Sequence, residues 1–219
     1  MYQKIVLGTA QFGRKYGISN STGKISLPEI FKILEFLKKK KIKFLDTARS
    51  YAKSESEIGS YFKKRNQKFK IITKFSFKSP DSISRQFENS FYSLGYLPDT
   101  ILAHSSKDYL NPIFHKEIEL IKKKYYIKNI GVSLYNVKEL KKILKYKKPD
   151  IIQVPVNILD RSFLDEKIIK LLKKNQLRFW VDLFFYRDFF LKKKSIFIKI
   201  LKILRLFTKN YLKLHLLKK

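Results

Sequence analysis

The chain has 219 residues, 44% of them hydrophobic and 15% aromatic, which is enough to bury one sizeable core and fits one domain better than two. It has no cysteine and three histidines, which excludes a disulfide framework and thiol chemistry and argues against a structural zinc site. A formal net charge of +31 would draw nucleic acid or anionic membrane nonspecifically, but the lysines are spread over nearly every helical segment, as on solvated faces, rather than gathered in a binding arm. No specific nucleic-acid partner is expected.

The N-terminal MYQKIVLGTAQ lacks the long apolar run of a signal peptide, and no stretch reaches membrane-spanning length without charge. A cytoplasmic setting without a transmembrane segment is the simplest expectation.

Short apolar runs alternate with helical patterns along the chain. Residues 4–9 read as a strand, followed by a glycine-containing loop and a helix over 27–40, which Ser26 and Glu29 open as a capping box with Pro28 in the first turn. Residues 42–46 read as a strand. Ser54 and Glu57 form a second apparent capping box before a short helix ending near Lys64. Residues 70–75 are a strand; Ser79 and Pro80 open a helix that Gly95 ends.

Strands are expected again at 100–103, 128–133, 150–156 and 177–184. Helices are expected at 111–124, after Asn136, and at 164–174. The strands are near-continuous apolar runs, as in a parallel sheet covered by helices. The fold class is therefore α/β. Seven such strands in one domain point to a (β/α)8 TIM-barrel type, incomplete at about seven recognisable strands, rather than to an open doubly wound sheet.

Beyond Tyr186 the pattern changes. Residues 192–219 carry ten basic side chains and no acidic one, with apolar residues near helical spacing. The chain divides into a barrel domain over 1–190 and a basic amphipathic helical tail over 191–219, which stands where the last barrel units are due. A barrel left open at this point exposes two strand edges, which favours self-association.

In such a barrel, active residues sit at the C-terminal ends of strands and in the loops that follow. Asp46, Lys74, His104, Ser133 and Gln153 are polar residues on or just after otherwise apolar strands, and all five would converge on one mouth. Tyr51 follows Asp46 in the loop before a helix and can lean over it. A free tyrosine titrates near 10, and a neighbouring ammonium favours the phenolate. Tyr51, Lys74, Asp46 and His104 thus make a sensible proton-transfer device, with Asp46 holding Lys74 charged and His104 orienting a carbonyl and sharing the proton load. Arg49 and Arg161, near the expected mouth, point to an acidic or sugar-derived carbonyl.

The stretches LGTAQFGRKYGISN (7–20), FLDTARSYAKSESEIG (44–59), IITKFS (71–76), ILAHSS (101–106), IGVSLYN (130–136) and IIQVPVNILDRSF (151–163) resemble the aldo-keto reductase family, in the family's order and over most of the chain. The resemblance implies an NADPH-dependent rather than NADH-dependent oxidoreductase that reduces a small aldehyde or ketone on a (β/α)8 barrel. It implies that Tyr51 is the general acid, tuned by Lys74 and Asp46, with His104 placing the carbonyl. Thr9, Asp46, Ser133 and Gln153 match cofactor contacts, Ser133 and Gln153 at the nicotinamide carboxamide and Thr9 near the ribose.

The chain departs from the family pattern in three places. Ala52 stands where the family commonly has Gly, and Leu134 where many members have Asn. The eighth strand and the basic-polar segment that grips the adenosine phosphate are not recognisable after residue 190, as expected of a C-terminally shortened member. Two other classes of function stay open beside the reductase: a catalytically impaired barrel acting as a binding protein, and a basic nucleic-acid or membrane-surface binder using the tail.

Overall fold

Alternation along the strands decides where each side chain goes, because successive residues of a strand face opposite sides of the sheet. In the computed structural model, which describes residues 6–17, 20, 23–156 and 160–183, seven strands form one sheet in the order of the sequence, and all neighbours are parallel. They are β1 (Val6–Gly8), β2 (Phe44–Asp46), β3 (Lys70–Phe75), β4 (Thr100–Ala103), β5 (Asn129–Ser133), β6 (Ile151–Val156) and β7 (Arg178–Leu183). The helices between them are α1 (Ala10–Gly13), α2 (Leu27–Lys39), α3 (Ser54–Arg65), α4 (Ile83–Leu94), α5 (Ser106–Leu110), α6 (Pro112–Lys124), α7 (Val137–Tyr146) and α8 (Glu166–Lys174). A 3-10 turn at Ser162–Leu164 precedes α8. The expected tail, with Phe184 and Phe185 before it, lies outside the described residues.

The sheet is curled. One face packs on the helices, where Ile101, Val132, Ile152 and Val154 meet Phe87, Phe114, Ile118 and Leu140, and Leu45 and Ile71 meet Ile30, Leu34 and Ile58. The other face encloses a small interior in three layers. At the bottom, the Asn129 amide donates to Thr100 Oγ1 (3.0 Å), and Arg178 Nη2 donates to Asn129 Oδ1 (2.5 Å). Above them, Ile72, Leu102 and Ile151 pack with Val6, Phe44 and Trp180. The rings of Phe44 in β2 and Trp180 in β7 lie 6.0 Å apart although four strands separate them in sheet order, which is the direct sign of curvature. Gly131 permits it at β5: a Cβ there would lie 2.1 Å from Ile151 O and 2.8 Å from Leu102 Cδ2. The third layer, at the strand C-termini, is polar. This is the incomplete (β/α)8 barrel expected from the sequence.

Several helix starts differ from the sequence reading. The Ser26 box is present: the Ser26 backbone N–H and hydroxyl donate to Glu29 Oε2 at 3.1 and 2.6 Å. The Ser54 box is not. Lys53 is the N-cap of α3, Ser54 lies within the helix and is fully buried, and Glu57 pairs with Lys24 instead. The Ser54 hydroxyl is taken by the end of β1. Helix α4 starts at Ile83, not at Ser79, because Ser82 caps it by accepting from the Arg85 N–H (3.1 Å). The short helices α1 and α5, placed right after β1 and β4, were not expected.

Candidate active site

The polar third layer brings the expected residues together. Lys74, near the end of β3, is 2% exposed, and its ammonium donates to Asp46 Oδ1 at 2.6 Å and to the Thr47 carbonyl at 3.0 Å. Asp46, at the end of β2, is 7% exposed, and its second oxygen accepts from Gln153 Nε2 at 3.2 Å. A buried ammonium is costly unless a carboxylate and further hydrogen bonds compensate it, and both are present here. The Lys74 ammonium also lies 5.2 Å from the centre of the Tyr51 ring, within cation–π range.

Tyr51 is half-buried in the loop between β2 and α3 and meets the His104 ring edge to face at 6.1 Å. The backbone around it is closely held. Its N–H donates to the Ala48 carbonyl (2.9 Å) and its carbonyl accepts from the Ser54 N–H (3.0 Å). Gly13 abuts the same peptide: a Cβ on Gly13 would lie 1.7 Å from Tyr51 O. Ala52 occupies the left-handed region at φ 49°, where a glycine is unstrained and an alanine is not.

His104 follows β4 and is half-buried, with Nδ1 3.4 Å from Ser50 Oγ. Burial and the Lys74 ammonium push its pKa down to about 4, against the pull of Asp108. The imidazole is therefore neutral at physiological pH. It offers an N–H or a lone pair rather than a charge.

The candidate cofactor contacts lie on the same rim. Gln153 is 6% exposed, and with its Nε2 held by Asp46 its Oε1 is a buried acceptor with no hydrogen-bond partner among the described residues. Buried acceptors are rarely left unpaired, so this atom fits an amide N–H of a bound group. Ser133, half-buried at the end of β5, pairs in register with Gln153. Thr9 is fully buried. Its hydroxyl donates to the Asp46 carbonyl (2.9 Å) and lies 2.8 Å from the Ser54 hydroxyl, so it ties β1 to β2 and α3. Leu134 turns away from the mouth into the core beneath the helices.

Three residues matter here that the sequence reading passed over. Glu55 is 1% exposed; its carboxylate accepts from Thr73 Oγ1 (2.7 Å), Ser90 Oγ (2.8 Å) and Arg49 Nη1 (3.1 Å), joining β3, α4 and the Tyr51 loop around α3. Arg49 is thereby engaged beneath the mouth, and Arg161 is exposed beside the 3-10 turn. Asp108 accepts from Ser76 Oγ (3.1 Å), the Phe77 N–H (2.8 Å) and Ser105 Oγ (2.6 Å), and so fixes the loop after His104. Arg14 lies with its guanidinium carbon 5.6 Å from the Tyr51 ring centre. The only sequence signal for Glu55 was its place in the Ser-Glu-Ser-Glu run, which also allows a capping box one residue too late. His115 is half-buried, with its Nε2 2.7 Å from the Tyr109 carbonyl.

Comparison with known proteins bears on the family and the fold. The profile of the Aldo/keto reductase family matches residues 4–182. A solved protein of Pseudomonas aeruginosa assigned to the aldo-keto reductases superposes with a TM-score of 0.67 at 21% identity, over 81% of this chain and 72% of that one. An aldo-keto reductase from Bacillus halodurans, in its holo form, gives a TM-score of 0.64 at 21% identity, over 81% of this chain and 61% of that one. One from Klebsiella pneumoniae, in complex with NADPH, gives 0.62 at 16% identity, over 80% of this chain and 62% of that one. No curated protein matches the sequence. With the profile covering most of the chain and the fold shared, the chain belongs to the aldo/keto reductase family, a family of oxidoreductases.

Proposed function

We propose that the protein reduces an aldehyde or ketone to an alcohol with NADPH as hydride donor, and that Tyr51 protonates the carbonyl oxygen. The observation that carries the reading is the buried Lys74–Asp46 pair at 2.6 Å beneath the Tyr51 ring, at the mouth where seven strands end. An ammonium fixed there stabilises the phenolate left when Tyr51 gives up its proton. Asp46 keeps that ammonium charged and in place. In the tautomer in which Nδ1 accepts from Ser50 Oγ, the neutral His104 carries its proton on Nε2, from which it donates to the carbonyl oxygen and orients it.

Gln153 Oε1 and Ser133 would hold the nicotinamide carboxamide, the first as acceptor for its N–H. The bound nicotinamide supplies the hydride; the protein supplies orientation and the proton. Thr9 is enclosed, and in our reading it supports Asp46 from below. The preference for NADPH over NADH is taken from the resemblance and from the NADPH bound by the Klebsiella pneumoniae relative. The setting is cytoplasmic in this reading; among the described residues no helix is long and apolar enough to cross a membrane.

The test is NADPH oxidation followed at 340 nm with a panel of small aldehydes and ketones. Substrate-dependent consumption of NADPH supports the reading. No consumption with any of them, at millimolar cofactor and substrate, contradicts it.

A further inference from the structure

We propose that the carbonyl substrate carries a carboxylate, and that Arg14 is the residue that grips it. The proposal rests on the reductase reading for the mouth and adds the substrate class.

Arg14 directly follows α1, where the chain leaves β1 and crosses to the mouth. Its guanidinium lies 5.6 Å from the centres of both the Tyr51 and Tyr16 rings, so two aromatic faces hold an exposed side chain beside the proposed proton donor. Stacking leaves the edge of a guanidinium, with its fork of N–H donors, open to an oxyanion. Among the described residues no carboxylate pairs with it. The other two arginines suggested by the sequence do not fill this role: Arg49 is held by Glu55, and Arg161 stands before α8.

The surroundings favour an anion in the same place. The cations that depress the His104 imidazole are Lys74, Lys78 and Arg14, and one carboxylate, Asp108, opposes them. Asp108 already accepts three hydrogen bonds, and Asp46 is paired with Lys74. Neither of these two carboxylates is left to compete with a ligand for Arg14. A carbonyl placed against Tyr51 and His104 therefore has a carboxylate-binding fork within a side chain's reach of the reacting atoms. A bidentate, charge-assisted pair of this kind is worth about tenfold or more in affinity.

The experiment titrates the full chain by calorimetry with 4-(hydroxymethyl)benzoate and benzyl alcohol, a product pair that cannot form imines with surface lysines. The same comparison is made on Arg14→Met, and kcat/KM for 4-carboxybenzaldehyde and benzaldehyde is measured alongside. The expected result is at least tenfold tighter binding of the carboxylated ligand, a matching ratio in kcat/KM carried by KM, and a ratio near one in Arg14→Met. Equal affinities in the natural protein overturn the proposal. A tenfold preference that survives in Arg14→Met also overturns it, and assigns the preference to the chain's overall charge of +31. An affinity ratio that depends on Arg14 without NADPH oxidation by either aldehyde upholds the anion site and removes the reductase reading instead.

Discussion

His104 is neutral because the fold makes it so. Its pKa of about 4 lies below the ordinary 6.5, so the unfolded chain takes up the proton first as the pH falls. The stability tied to this residue is present above pH 6.5 and is lost as the pH falls from 6.5 towards 4. The shift corresponds to about 3 kcal/mol at most. Urea unfolding of the natural protein and of His104→Gln, followed between pH 7 and pH 4, is expected to show a steeper loss in the natural protein; parallel pH profiles would contradict the assignment. The other site residues were legible at this scale for a simple reason. Asp46, Lys74, Ser133 and Gln153 interrupt apolar strands at their C-terminal ends, and a barrel leaves such side chains nowhere to go but the mouth. Glu55, Asp108 and Arg14 were not legible, because their roles depend on which loops meet, and no local periodicity encodes that.

Among the elements, the loop from β2 to α3 carries the most constraint. Gly13 of α1 touches the Tyr51 carbonyl, and Ala52 sits in the left-handed region beside it. Gly13→Ala is therefore expected to displace the Tyr51 loop and to lower both stability and turnover, whereas Ala52→Gly relieves strain of about 1 kcal/mol at little cost to the contacts. Thermal unfolding of the two variants checks this: the first should melt below the natural protein and the second at or above it. Strands β3 and β4 fell where their apolar runs predict them, since a buried parallel strand is apolar on both faces. Helix starts were less legible. Ser54 and Ser79 carry the chemistry of caps, but tertiary contact claims Ser54 for Thr9, and Ser82 caps α4 in place of Ser79. The one-turn helices α1 and α5 are too short to show a hydrophobic period.

For the whole molecule, the parallel order of seven strands followed from the alternation of strands and helices, and the curvature followed from nothing local. It comes from the interior layer of Val6, Phe44, Ile72, Leu102, Ile151 and Trp180, which closes over Gly131. Strands β3, β4 and β5 are paired on both sides, while β1 and β7 each pair on one side among the described residues. Amide hydrogen exchange should accordingly be slowest in β3–β5 and fastest in β1 and β7; uniform protection would show that both edges are covered. The interior also holds Trp180, the chain's one tryptophan, beside Gln153 in register, so its fluorescence reports on whatever enters the mouth. The central claim, a cofactor-dependent reductase with Tyr51 as its acid, is tested most directly by comparing the natural protein with Tyr51→Phe in NADPH oxidation, with NADPH quenching of Trp180 as the binding control. The account predicts a fall in kcat of about a hundredfold or more with cofactor binding unchanged; a Tyr51→Phe protein that binds NADPH and turns over at the natural rate would contradict it.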